Sequence, residues 1–125
     1  MNLHTRRLQI EGPAGTIELL RDEPGEGVAV RGTAVVAHPH PLFGGTMENK
    51  VVQTLARAFV QAGWRSLRFN FRGVGATQGV HDEGRGELED LLHIAAQEAQ
   101  DGALALAGFS FGAFVAANAV ARVWP

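Results

Sequence analysis

Apolar and polar residues fall along this chain in an order that predicts eight elements. Arg7–Glu11 alternates, Gly12-Pro-Ala-Gly15 supplies a turn, and Thr16–Leu20 alternates again, which predicts an antiparallel hairpin. Asp22–Gly27 is a polar loop. Thr33–Ala37 is a short unbroken apolar run, the pattern of a strand buried on both faces in a parallel sheet. His38-Pro-His-Pro-Leu-Phe-Gly-Gly45 interrupts the pattern. Its prolines lack backbone donors and its glycines permit positive φ, so it reads as a loop. Thr46 is the expected cap of a helix running to about Ala62. Val51, Val52, Leu55, Ala56, Phe59 and Val60 follow its 3.6-residue period and Gly63 stops it.

Arg65–Phe71 is predicted as a strand with Leu67, Phe69 and Phe71 on one face. A glycine-rich loop from Arg72 to Gly84 follows. The next helix is expected from about Glu87 to Gln100, with Leu88, Leu91, Leu92, Ala95 and Ala99 as its apolar stripe. Glu87, Glu89 and Asp90 sit in its first turn, where the helix dipole favours acids. Gly102 ends it, Ala103–Ala107 is a second buried-type strand, and an Ala-rich helix closes the chain. The order β-β-β-α-β-α-β-α argues for an α/β fold, a mostly parallel sheet with an antiparallel leading hairpin and helices on both faces.

Composition narrows the classes. The 125 residues suit one domain, 1–125, and 46% hydrophobic with 19% charged residues is globular, not disordered or collagen-like. A net charge of −2, with arginines spread rather than clustered, points to neither nucleic acid nor an anionic membrane. The absence of cysteine excludes disulfides, thiolate metal sites and a cysteine nucleophile. No apolar stretch reaches the roughly 18 residues of a membrane span, and Met1–Arg7 leads into no secretory apolar region. A soluble, cytoplasmic protein is the expectation.

The chemistry concentrates in Gly108-Phe-Ser110-Phe-Gly112. An apolar strand runs into G-x-S-x-G, and a helix-forming run follows at once, the context of a nucleophile elbow. Such a turn lifts the serine hydroxyl clear at a helix N-terminus, where free N–H groups and the dipole favour an oxyanion. The plain alternative is a helix-capping serine. His38 and His40, an H-x-H at the end of a buried strand, admit a metal-hydrolase reading beside a structural or oxyanion-loop one. Gly73-Val-Gly-Ala-Thr-Gln-Gly79 is not a dinucleotide fingerprint, because Gln78 stands where glycine is needed. It reads as a flexible loop beside the pocket. Arg72 can pair with a carboxylate under that loop or reach substrate, and a solvated or structural role is the expectation.

The His38–Gly45 loop, Phe69-Asn-Phe-Arg-Gly-Val-Gly75 and Gly108–Gly112, in that order, resemble the amino-terminal half of an α/β-hydrolase. The likeness is to small, lid-poor, esterase-type hydrolases related to dienelactone hydrolases, over about residues 15 to 122. It implies a serine hydrolase acting on a carboxylic ester or related acyl substrate, with no cofactor. Ser110 would be the nucleophile. The amide of Phe111 would be one oxyanion donor, and a residue of the His38–Gly45 loop the other. Pro39 and Pro41 have no N–H; His40 holds the position of the family's donor, with Leu42 as the fallback. Proline stands where relatives carry the glycine of a His-Gly pair.

The family order of triad residues is Ser, then Asp or Glu, then His. Residues 111–125 contain none of these acids or bases. His81, His93, Asp82, Asp90 and Asp101 lie upstream, and none is a convincing substitute. The expectation is therefore a partial domain, truncated after the elbow helix, with little activity alone. The strand Ala103–Ala107 would then be an exposed sheet edge. The rival expectations are a non-catalytic remnant that self-associates through that edge and a metal-dependent hydrolase using His38 and His40.

Overall fold

In the computed structural model, which describes residues 5–100 and 102–123, five strands form one sheet in the order β1-β2-β4-β3-β5. They are β1 (Arg6–Gly12), β2 (Gly15–Asp22), β3 (Gly32–Ala37), β4 (Arg65–Phe69) and β5 (Ala103–Gly108). The hairpin forms with Leu8 opposite Leu19 and Ile10 opposite Ile17, antiparallel. β2 runs antiparallel to β4, whereas β3 is parallel to both β4 and β5. The chain passes from β3 to β4 on one side, then crosses back to β5 on the other. Loops leaving β3 and β5 therefore part at their carboxyl ends, the place where open α/β sheets form their crevice.

Helix α1 (Lys50–Gln61) covers one face against β3 and β4, while α2 (Arg85–Glu98) and α3 (Phe111–Val123) pack together on the other. The main core lies under α2 and α3: Val35, Ala37, Leu67, Phe69 and Phe71 from the sheet meet Leu91, Ile94, Val115 and Ala119. Every residue of β3 is buried, as its unbroken apolar run requires.

Three boundaries differ from the sequence expectation. Asn49, not Thr46, caps α1: its Oδ1 accepts the N–H of Val51 at 2.9 Å and of Val52 at 3.2 Å. Thr46 is spent in a preceding turn, which buries Met47 and gives the Met47 N–H to Asn70 Oδ1 at 2.9 Å. β4 stops at Phe69, because the N–H of Asn70 goes to Glu18 O and that of Phe71 to His38. α2 starts at Arg85, two residues early. Gly84, at φ +94, caps it, and Glu87 reaches back to the Gly84 N–H at 2.9 Å.

The loop after β4 was expected to be flexible, yet it is strapped to β2. Gln78 exchanges bonds with Thr16, Thr77 Oγ1 accepts the Glu18 N–H, and Glu18 Oε1 accepts from the Ala76 N–H at 3.0 Å and Asn70 Nδ2 at 2.8 Å. Burial alone would push the Glu18 carboxyl up. The Ala76 N–H, Asn70 and Arg7 outweigh it and hold the group below the usual range. Arg72 pairs bidentately with Asp90, at 3.0 and 3.1 Å, so it ties the loop to α2 and is not aimed outward. That pairing holds the Arg72 guanidinium above its ordinary value.

Candidate active site

Ser110 stands on a sharp strand-to-helix turn, and the flanking glycines explain why the turn can close. A Cβ on Gly108 would lie 2.4 Å from the Gly112 carbonyl, and one on Gly112 would lie 2.1 Å from the Ala37 carbonyl oxygen. The first contact is the strand against its own helix; the second is α3 pressed onto the end of β3. Ser110 itself takes φ +59, a conformation that costs a residue with a side chain about 1 kcal/mol or more. Its side chain is exposed, and among the described residues nothing hydrogen-bonds its hydroxyl. It does not cap α3 through that hydroxyl; its carbonyl accepts the N–H of Ala113 and Phe114.

Phe109 continues the β3–β5 ladder, its N–H donating to Ala37 O at 3.2 Å. Ser110 is thereby set beside the His38–Gly45 loop, which begins where β3 ends. The backbone N–H of Phe111 and that of His40 find no acceptor among the described residues. The N–H of Leu42, by contrast, donates to His40 Nδ1 at 3.2 Å, opening a single 3-10 turn over Pro41–Phe43. The ring of His40 packs against that of Phe111, centroids 4.6 Å apart.

His38 is fully buried, and both its ring nitrogens are engaged. Nδ1 lies 2.6 Å from Pro39 O, which makes it the protonated nitrogen, and Nε2 accepts the Phe71 N–H at 3.0 Å. Burial disfavours the imidazolium and pulls the pKa down to about 4. The ring is a neutral brace between the ends of β3 and β4, with no lone pair free for a metal. Among the described residues no three His, Cys, Asp or Glu converge as a metal-holding group.

The upstream acids and bases scatter. His93 Nε2 donates to Glu11 O at 2.7 Å, tying α2 to β1, and Asp90 belongs to Arg72. Asp82 lies near Arg85, and Asp101 falls outside the described residues. His81 is different: its ring lies 4.8 Å from that of His40 and 5.7 Å from that of Phe111, and its Nδ1 is 3.2 Å from Glu87 Oε2. Sequence reasoning missed this neighbourhood. The available signal was Glu87 three residues after Gly84, a capping-box spacing that foretells a carboxylate turned back onto the loop.

A sheet of mixed strands with a serine on a strained turn at the carboxyl end of a parallel strand defines a class, the α/β serine hydrolase fold. Comparison with known proteins agrees. The chain is 43% identical to an α/β serine hydrolase homologue from Coxiella burnetii, with a TM-score of 0.86, and covers 59% of that protein. It is 40% identical, with a TM-score of 0.88 and again 59% coverage, to a lidless α/β serine hydrolase from Xanthomonas campestris. An uncharacterized protein of Rickettsia prowazekii is 43% identical over 93 residues, which are 71% of this chain and 39% of that protein. No family model matches the sequence. The chain belongs to the α/β-hydrolase superfamily and carries the amino-terminal part of its fold, spanning about 59% of the length of these two serine hydrolase structures.

Among the described residues, no helix is long and apolar enough to cross a membrane.

Proposed function

We propose that this chain carries the nucleophile and oxyanion hole of a serine hydrolase that acts on a carboxylic ester or related acyl substrate. The observation that carries the reading is the pairing of an exposed, strained Ser110 with two unengaged backbone donors, the N–H groups of Phe111 and His40. The Ser110 hydroxyl attacks the acyl carbon, and the carbonyl oxygen becomes an oxyanion. The Phe111 N–H, at the positive end of α3, and the His40 N–H stabilise that charge. Leu42 is the weaker candidate for the second donor, because its N–H is already given to His40 Nδ1. Fixing the serine at φ +59 is backbone strain of the kind found where geometry serves chemistry.

A general base must take the serine proton and an acid must orient that base. Residues 111–125 hold no Asp, Glu or His, so a polypeptide of these 125 residues is expected to turn over esters slowly. A fluorophosphonate reports the serine without needing turnover. The Ser110 Oγ–P bond forms as the P–F bond breaks, fluoride leaves, and the serine proton passes to imidazole supplied in the buffer as an external base. Incubation for hours followed by peptide mass spectrometry should find one adduct, on Ser110, absent from Ser110→Ala. No adduct, or one that survives that substitution, overturns the reading.

A second reading is self-association through β5. This strand is paired only with β3 among the described residues, and Phe109, just after it, is exposed, as are Phe114, Val120 and Val123 on α3. Unpaired apolar edges template strand addition. Size-exclusion chromatography with light scattering should then give a defined dimer; a monomer at high concentration removes this reading.

A further inference from the structure

Glu87 is a fully buried carboxylate whose work lies outside its own helix. Its Oε1 accepts the Gly84 N–H at 2.9 Å and its Oε2 the Asp82 N–H at 2.9 Å. It thereby freezes the turn 82–84, in which Glu83 is held at φ +57 and Gly84 at φ +94. Ser110 and Glu83 are the two non-glycine residues with positive φ among the described residues. Both strained turns converge on one cluster of rings. Gly84 lies against Phe111 and Phe114, with ring carbons 3.9 and 3.1 Å from where its Cβ would be.

His81 precedes that turn and is nearly buried, 10% exposed at its side chain. Its Nδ1 sits 3.2 Å from Glu87 Oε2 without a hydrogen bond, so the buried carboxylate backs the ring by close contact. The His81 ring packs on His40 at 4.8 Å and on Phe111 at 5.7 Å, while those two rings touch each other at 4.6 Å. His40 and Phe111 are the residues whose backbone N–H groups were assigned above to the oxyanion. They come from different loops, one after β3 and one after β5. Among the rings of the described residues, that of His81 meets both.

We infer that the His81 ring, packed between the buried Glu87 and the rings of His40 and Phe111, is a positioning residue that sets the spacing of the His40 and Phe111 amides for the transition-state oxyanion. The inference rests on the reading of Ser110 given above. Donors act over a range of a few tenths of an ångström, and a misplacement of about 1 Å can cost a hundredfold in rate. A wedge holding two loops in register would therefore act on the reacting state and leave the encounter with substrate unchanged.

The test separates reaction from binding. Covalent labelling of the 125-residue protein by a fluorophosphonate, in buffer with imidazole as the external base, is followed by intact mass over a range of probe concentrations, giving a maximal rate constant and a half-saturation concentration. His81→Ala is expected to lower the maximal rate constant by about tenfold or more and leave the half-saturation concentration unchanged. His81→Phe, which keeps a ring against His40 and Phe111, should recover most of that loss. If His81→Ala fails to fold, His81→Leu, which keeps bulk without the ring or the nitrogen, takes its place. Equal maximal rate constants in wild type and variants overturn the inference, as does a loss carried by the half-saturation concentration alone. Failure of the wild type to label Ser110 overturns the reading of the serine, and this inference with it.

Discussion

The Nε2 of His38 accepts the backbone N–H of Phe71 at 3.0 Å and joins the carboxyl ends of β3 and β4 directly beneath the candidate site. The bond needs a neutral ring, since an imidazolium has no lone pair to offer. Stability should therefore depend on pH in part through this residue. The folded-state pKa is depressed from 6.5 to about 4, so below pH 6.5 the unfolded chain takes up a proton that the folded chain refuses. The stabilisation is fully present above pH 6.5 and is lost as pH falls toward 4, a change of about 3 kcal/mol. Urea melts at intervals between pH 7 and 4 should follow that slope, and His38→Gln should flatten it. Glu18 acts lower down: its carboxyl is held below 4.5, so its contribution disappears as pH falls further.

Gly112→Ala should destabilise by about 2–3 kcal/mol, because the new methyl would meet the Ala37 backbone at 2.1 Å and neither partner can swing away. Gly27→Ala is the contrasting case. Gly27 has open space around it, and only its φ of +80 resists a side chain, so the cost should be about 1 kcal/mol. Denaturation midpoints of the two variants, measured together, test whether the strand–helix contact is as tight as described; equal losses would argue against it.

Ser110→Gly should stabilise the fold by about 1 kcal/mol while removing the reactive hydroxyl, since glycine takes φ +59 without strain. A variant less stable than the wild type would mean that the serine side chain contributes packing or bonding, and that the turn is not strained in favour of function.

Arg72 and Asp90 form a buried pair, 12% and 1% exposed at their side chains. Arg72→Met should cost about 3–5 kcal/mol, because it leaves the buried Asp90 carboxyl without its partner. Adding Asp90→Leu to that variant should recover much of the loss, as apolar replacements of buried pairs often do. A double-mutant cycle in thermal or urea melts measures the coupling; additive losses would show that the pair is not coupled.

Much of the fold was legible because periodicity and glycine placement report local conformation. The all-apolar run Thr33–Ala37 announced a strand buried on both faces, and the G-x-S-x-G after Ala107 announced the turn that carries Ser110. What stayed hidden depended on long-range polar contacts. Thr46 looked like the better cap until Met47 was found bound to Asn70, twenty-three residues away. Asp90 and Glu87 resembled solvated first-turn acids, yet each is buried against a partner in the preceding loop, which α2 covers. The contact of His81 with His40 and Phe111 joins three loops, and no local pattern encodes it.

The central assignment, that the amides of Phe111 and His40 receive the oxyanion formed by attack of Ser110, is open to one direct structural measurement. A crystal structure of the phosphonylated protein shows where the phosphoryl oxygen goes. It should lie about 2.7–3.1 Å from both the Phe111 and the His40 nitrogen, with the Leu42 N–H still bonded to His40 Nδ1. A phosphoryl oxygen turned to solvent, or held by Leu42 in place of His40, would contradict it.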